Sequence, residues 1–274
     1  MNVESLLTKD GDWHAARRKT LGGSDANILM NGDPAAILHL WREKRGEAEP
    51  EDLSRVLPVQ MGVWTEPLNI HWFQLMTGRS VQNRGDVCAH SVYPFMACTL
   101  DGLTITAAGT NTAVFEAKHV NAFAKIDEVV QKYMPQLHHN MAVTGLSHAI
   151  LSVFVGTFTH EVVEVACDDW YLAQLIDREK AFWACVVSGE PPLEMPAVSA
   201  PVAPDKWRTV AMEGNNEWAA HAADWLECRD AAKKFTASEK GIKALMEADM
   251  GHAHGHGLEC KRAKNGSLRI SEVK

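Results

Sequence analysis

Apolar positions recur at helical spacing in some stretches of the chain and alternate two by two in others, and their order predicts an architecture. Trp13 to Lys19 reads as a short helix. Gly22-Gly23-Ser24-Asp25 reads as a turn, with Ser24 the N-cap of a helix over Asp25–Met30. Asp33-Pro34 opens another helix, in which Ile37, Leu38 and Trp41 recur at helical spacing. Met61 to Met76 forms a longer amphipathic helix carrying Glu66. Strand-like segments follow around Cys88, over Phe95–Leu103 and over Ala113–Val120. Between the last two, Thr104 to Thr112 holds Gly109 and Asn111 among small residues and reads as a hairpin connection. Val129 to Thr144 is a helix containing Gln136, with Pro135 either kinking it or marking its start. His148–Phe158 and Glu161–Cys167 read as two tightly joined apolar strands. A helix capped by Asp168 or Asp169 runs to Val187. Met195–Pro204, rich in Pro and Ala, reads as a linker, and Asn215–Met250 is a second helical region before a Gly/His stretch. A hairpin is expected at Lys264-Asn265-Gly266-Ser267. The fold class is α/β, a central mixed sheet flanked by helices with a C-terminal helical extension. The expected division is a core over 1–192, a linker over 193–204 and a helical, basic region over 205–274.

Candidate chemistry sits at the first hairpin. Alternation along Ala113–Val120 puts Glu116 and Lys118 on one face, with Phe115 and Ala117 on the other. An antiparallel partner brings Asp101 beside them. Two carboxylates make a hard-oxygen site for Mg²⁺ or Mn²⁺, and a lysine next to them can hold or deprotonate a water. That set suits phosphodiester cleavage. The other reading is a solvated hairpin with ordinary surface charges. Acids set into apolar strands need partners, because an unpaired buried charge is costly, and this favours the first reading.

The remaining features narrow the class. With 274 residues, 46% hydrophobic and 23% charged, the chain can bury a full core. No apolar run approaches the ~20 residues that span a bilayer. Met1–Asp12 lacks the apolar core of a signal peptide, so the cytoplasm is the expected location. Six cysteines without a C-x-x-C pair argue against a zinc ribbon, a four-cysteine iron–sulfur cluster and a disulfide framework. A net charge of −8 at first opposes a nucleic-acid partner, yet residues 228–274 hold ten Lys/Arg against six Asp/Glu. Basic clusters also occur at Arg17-Arg18-Lys19 and at Arg42 with Lys44-Arg45.

In the C-terminal region, Trp218, Ala222, Trp225 and Leu226 recur at helical spacing and are expected to pack one face. Its basic residues suit a DNA backbone; a solvated helical hairpin and a protein-partner contact are the other readings. His252, His254 and His256 alternate through Gly-rich sequence, either as metal ligands on one side or as a mobile loop. Of His138 and His139, only one is expected to face inward. Trp13, Trp41, Trp64, Trp72 and Trp183 fall on apolar helix faces and are expected in the core.

Six pieces in consistent order carry a resemblance: Trp13-His14-Ala15-Ala16-Arg17, Gly23-Ser24-Asp25, Gly62 with Glu66, Leu100-Asp101-Gly102, Glu116-Ala117-Lys118 and Tyr133-Met134-Pro135-Gln136. Over roughly Trp13 to Val187 the chain resembles the phage lambda exonuclease (YqaJ-type viral recombinase) family of the PD-(D/E)xK nuclease superfamily. Leu100 stands where the superfamily name has proline. The resemblance implies a restriction-endonuclease-like core and metal-dependent 5′→3′ degradation of one strand of linear duplex DNA. The resulting 3′ single strand would serve an annealing protein in phage-type recombination. An endonuclease or single-strand nuclease on the same core, a DNA-end-binding module and a partner-loading protein are the alternatives.

The resemblance also implies roles for particular residues. Asp101, Glu116 and the backbone carbonyl of Ala117 would ligate Mg²⁺, with Mn²⁺ as a substitute. Lys118 would position or activate the attacking water, Glu66 would face the metal waters, and Gln136 would orient the nucleophile. Arg17 would hold the 5′ phosphate, a task suited to the guanidinium fork. Ser24 would either join it there or serve as a plain cap. A homotrimer threaded by the duplex, and a phage or prophage origin in a bacterial cell, are further expectations from the resemblance alone.

Overall fold

The computed structural model describes residues 17–106, 109–202 and 208–273. Trp13, and with it most of the first expected helix, lies outside the described residues. The chain divides into two compact units, Met1–Lys206 and Trp207–Lys274.

The first unit runs α1 (Gly23–Asn31), α2 (Pro34–Lys44), α3 (Leu57–Thr77), β1 (Ser80–Gln82), β2 (Val87–Ala89), β3 (Ala97–Thr99), β4 (Gly102–Ile105) and β5 (Asn111–Val120). It continues through α4 (Ile126–Thr144), β6 (His148–Val155), β7 (Thr159–Ala166) and α5 (Asp169–Ser188). The central sheet has the order β1-β4-β5-β6-β7. Only β5 and β6 pair in parallel, joined by the α4 crossover, so the sheet is mixed. β2 and β3 form a separate two-stranded ladder.

The alternation along β5 divides the sheet as its side chains require. Ala113, Phe115 and Ala117 pack with Ile70 and Phe73 of α3, whereas Val114 joins Leu137, Met141, Leu151 and Leu175 in the opposite core. Asn69 pins α3 to the sheet: its Nδ2 donates to the Ser152 carbonyl at 3.0 Å and to that of Lys118 at 3.3 Å. A third cluster, Leu21, Leu29, Ile37, Leu40, Trp41 and Phe182, gathers α1, α2 and α5.

Several boundaries differ from the sequence reading. Ser24 is not the N-cap of α1. Gly22 takes that place in extended backbone, and Asp25 at the third helical position accepts the Gly22 N–H at 2.9 Å. Asp33 does cap α2, accepting from the Ala35 N–H at 3.0 Å, with Pro34 in the first turn. Pro135 lies inside α4, which begins at Ile126. His138 and His139 are both buried, because α4 is covered on more than one side. Trp41 is buried, but Trp64 and Trp72 are exposed. The helix α3 is apolar around most of its circumference, and Ile70 and Phe73 win the sheet-facing side. The Pro/Ala-rich stretch expected as a linker lies along the first unit: Val198 N–H donates to the Met30 carbonyl, and Gln131 Nε2 donates to that of Pro201.

The second unit holds α6 (Asn216–Ala244), β8 (His252–Gly255), β9 (Leu258–Arg262) and β10 (Leu268–Glu272), the strands forming an antiparallel sheet in the order β10-β9-β8. The expected hairpin joins β9 to β10. No residue of α6 is buried, so the face expected to pack, with Trp218, Trp225 and Leu226, stays exposed. The Gly/His stretch is strand rather than loop. His252 and His254 share a face, while His256 leaves it at a residue with φ 50°. His252 Nε2 stands 3.2 Å from Glu259 Oε2. Among the described residues, no group of three or more His, Cys, Asp or Glu side chains is arranged to hold a metal. No helix among them is long and apolar enough to cross a membrane.

Candidate active site

Asp101 sits at the bend between β3 and β4, which breaks the segment Phe95–Leu103 that was expected as one strand. The residue after it has to lack a side chain, since a Cβ on Gly102 would lie 2.3 Å from Val81 Cγ1 of the neighbouring strand. The close approach brings Asp101 against β5, where its Oδ2 accepts the Ala117 N–H at 2.9 Å. Asp101 is thereby tied to the backbone between Glu116 and Lys118.

Glu116 is buried and surrounded by donors. Its Oε1 accepts from Lys118 Nζ at 2.5 Å and Gln136 Nε2 at 2.6 Å, and its Oε2 from Asn140 Nδ2 at 3.1 Å. The amide oxygen of Gln136, Oε1, accepts from Asn27 Nδ2 at 3.4 Å, while Asn27 Oδ1 accepts the Gln136 backbone N–H at 3.0 Å. Gln136 follows Pro135, which cannot donate, and Asn27 of α1 takes up the next amide. Glu66 reaches the neighbourhood from α3, its Oε1 accepting from Arg84 Nε at 2.7 Å.

The electrostatics are those of crowded acids. Burial, and then the charge of Asp101, raise the pKa of Glu116. The same two causes raise that of Glu66. Burial works against the charge of Lys118, but Glu116 and Asp101 more than offset it and push its pKa above the lysine range. Lys118 is therefore an ammonium, 4.8 Å from the Tyr133 ring centroid. Acids whose pKa values are raised by one another form a pocket of negative potential that a further cation relieves. The donor set fits a hard divalent ion, which takes one or two carboxylates and completes its shell with water and phosphate oxygens.

Next to this group lies a cationic one. Arg17 Nη2 donates to Ser24 Oγ at 2.6 Å and lies 3.2 Å from Asp25 Oδ1. Asp25 is buried, and its Oδ2 meets Lys44 Nζ at 2.6 Å. Burial alone would raise the Asp25 pKa, but Lys44 and Arg17 hold it below the usual carboxylate range. Lys44 also donates to the Arg17 carbonyl at 3.0 Å, so both ends of residue 17 are anchored. The two groups meet at the start of α1: a Cβ on Gly23 would lie 2.7 Å from Gln136 Cγ and 2.8 Å from Asn140 Oδ1.

Asp101, Glu116, Lys118 and Gln136 thus come together, with Glu66 close enough for Asp101 to shift its proton affinity, and Arg17 and Ser24 adjoin them. Sequence reading missed Asn27, Lys44, Arg84 and Asn140. Asn140 had one legible signal, since it lies four residues after Gln136 and so shares its helix face.

The mixed five-stranded sheet with its flanking helices is similar in fold to solved exonuclease structures. The chain resembles the alkaline exonuclease LHK-Exo of Laribacter hongkongensis, with a TM-score of 0.56, 18% identity, and coverage of 66% of this chain and 94% of that one. The same enzyme in complex with dAMP gives a TM-score of 0.55 and 20% identity over the same shares, 66% and 94%. Residues 12–147 match the model of the YqaJ-like viral recombinase domain. It is 25% identical over 192 residues to the uncharacterised protein YqaJ of Bacillus subtilis (strain 168), covering 68% of this chain and 58% of that protein. The match therefore spans less than two thirds of that relative's length.

Proposed function

We propose that the protein is a Mg²⁺-dependent nuclease that degrades linear duplex DNA 5′→3′ and leaves 3′ single strands for recombination. The observation that carries this reading is the Arg17–Ser24 group beside the Asp101–Glu116–Lys118 centre, with only the side-chain-free Gly23 between Ser24 and the amides that hold Glu116. A phosphate anchored there puts the first phosphodiester of a 5′ end near the reacting centre. Asp101, Glu116 and the Ala117 carbonyl would hold the metal, and Mn²⁺ would substitute. When bound, such an ion neutralises charge on the phosphate and lowers the pKa of water. Lys118, kept as an ammonium, orients the attacking water and offsets charge on the phosphate oxygens. Gln136 fixes Glu116, and Glu66, restrained by Arg84, is placed to accept from water. The likeness to an exonuclease fold solved with a nucleotide supports the substrate class.

Digestion of end-labelled linear duplex in Mg²⁺ and in EDTA, beside a closed circular duplex, tests the reading. Loss of label from the 5′ end in Mg²⁺ alone is expected; cutting of the circle would make the protein an endonuclease instead. A companion measurement concerns the end itself. Arg17→Ala slows digestion of 5′-phosphorylated duplex by roughly tenfold or more, since a charged hydrogen bond contributes about 1.5–3 kcal/mol. Preference over a 5′-hydroxyl end flattens with it. An unaltered preference would remove Arg17 from the phosphate site.

Partners follow from the same reading. Duplex ends are the substrate and a single-strand annealing protein is the expected recipient of the product. The outward ridge of α3, with Leu57, Met61, Trp64, Leu68, Trp72 and Leu75 exposed, supports assembly of copies, for which a homotrimer is proposed. Light scattering at the mass of one 30.2 kDa chain would reject it. The second unit is proposed to hold duplex DNA through its basic residues. Removing residues 207–274 then weakens DNA binding and flattens its salt dependence while slow metal-dependent cleavage persists. Equal affinity and salt slope in the shortened chain would point to a protein contact.

A further inference from the structure

Glu116 is held at both side-chain oxygens from one face of α4. Gln136 donates to Oε1, and Asn140, one turn further, donates Nδ2 to Oε2. With Lys118 also on Oε1, that oxygen accepts from two donors, whereas Oε2 accepts from Asn140 alone. A carboxylate oxygen has two lone pairs, so Oε2 keeps one open and its direction is set by Asn140. Asn140 is 2% exposed, and its Oδ1 has no partner among the described residues. An unpaired buried carbonyl is costly, and a leucine would fill the same space without that cost. Packing is therefore a poor reason for an asparagine at this position.

A second element makes the contact possible. A Cβ on Gly23 would crowd both Gln136 Cγ at 2.7 Å and Asn140 Oδ1 at 2.8 Å. Gln136 Cγ is a mid-chain atom that cannot swing away without moving the amide off Glu116.

We infer that Asn140 is a positioning residue that aims Glu116 Oε2 at the divalent cation, and that Gly23 is needed so that α4 can present both amides to that carboxylate. The inference rests on the proposed assignment of Glu116 as a metal ligand. Groups that hydrogen-bond a ligating carboxylate orient it, and losing one typically lowers metal affinity by about 10–100-fold.

The test uses the full chain without DNA, with Mn²⁺ alone as the probe and free Mn²⁺ read by electron paramagnetic resonance. Asn140→Leu raises the Mn²⁺ dissociation constant about tenfold or more. The fold is checked by circular dichroism, since the change removes both the unpaired carbonyl and the donor to Glu116 Oε2. Gly23→Ala gives a rise in the same direction from a different element, and carries the test if Asn140→Leu does not fold. In cleavage assays the Mn²⁺ concentration for half-maximal rate rises for both, and saturating Mn²⁺ restores most of the rate of Asn140→Leu. Mn²⁺ affinity in Asn140→Leu within about twofold of the wild type would overturn the inference. So would Mn²⁺ binding that survives Asp101→Ala unchanged, since the ion would then lie elsewhere. A wild type that binds Mn²⁺ through Asp101 yet degrades no DNA would overturn the nuclease reading and leave the role of Asn140 standing.

Discussion

Lys118→Ala lowers the rate of metal-dependent digestion of linear duplex by at least about a hundredfold, the scale at which a positioned proton or charge donor contributes. The expectation follows from what Lys118 touches. Its Nζ lies 2.5 Å from Glu116 Oε1, on the strand where Asp101 takes the next backbone amide. Removing the ammonium leaves two carboxylates facing each other with less charge compensation, which does not weaken metal binding and strengthens it if anything. Mn²⁺ affinity should therefore hold or rise while turnover falls. Asp101→Ala behaves differently, losing metal affinity and turnover together. That contrast separates a residue acting on water and phosphate from one acting on the cation. Turnover near the wild-type level in Lys118→Ala, with the fold intact by circular dichroism, would remove the lysine from the mechanism.

The parts of this centre that could be read from the chain are those set by a short period. Glu116 and Lys118 share a face because strand side chains alternate, and β5 keeps that alternation through Phe115 and Ala117. Asp101 was legible as the partner across a hairpin, although the bend that carries it depends on how closely Gly102 meets β1. The missed residues are those brought in by tertiary docking. Asn27 meets Gln136 because α1 lies across α4, and no local pattern announces which helices will cross; Asn140 reaches Glu116 on β5 from the same α4 face as Gln136. Lys44 is buried by its pairing with Asp25, an arrangement invisible to a reading that expects lysines at the surface. The α3 tryptophans were misplaced for a related reason. A helix apolar on two sides does not say which side the sheet will take, and Trp64 and Trp72 lost that choice to Ile70 and Phe73. Cys88 and Cys98 face each other across β2 and β3 as free thiols, and burial pushes the Cys98 thiol up to about 12.

Glu179→Leu destabilises the protein by about 3–5 kcal/mol, the usual cost of stranding one member of a buried ion pair. For a unit of this size that lowers the melting temperature by on the order of 10 °C. The partner is His139, fully buried on α4 three residues beyond Gln136. Its Nδ1 stands 2.8 Å from Glu179 Oε1 and its Nε2 3.0 Å from the Ala97 carbonyl. Both ring nitrogens face acceptors, so both carry protons and the ring is an imidazolium. The adjacent His138 is the opposite case. Its Nδ1 donates to the Met134 carbonyl and its Nε2 accepts the Asp168 N–H, a neutral ring whose pKa burial lowers. For His139, burial opposes the charge but Glu179 more than offsets it, and the pKa is raised. A histidine raised in the folded state contributes its full stabilisation below the unfolded value of about 6.5 and loses it as pH climbs through the folded value. The penalty of Glu179→Leu is thus largest near pH 6 and shrinks toward pH 9. Thermal melts of wild type and variant across that range measure it directly. A difference in melting temperature that stays constant with pH would mean that His139 is neutral in the folded protein and that Glu179 contributes by packing alone.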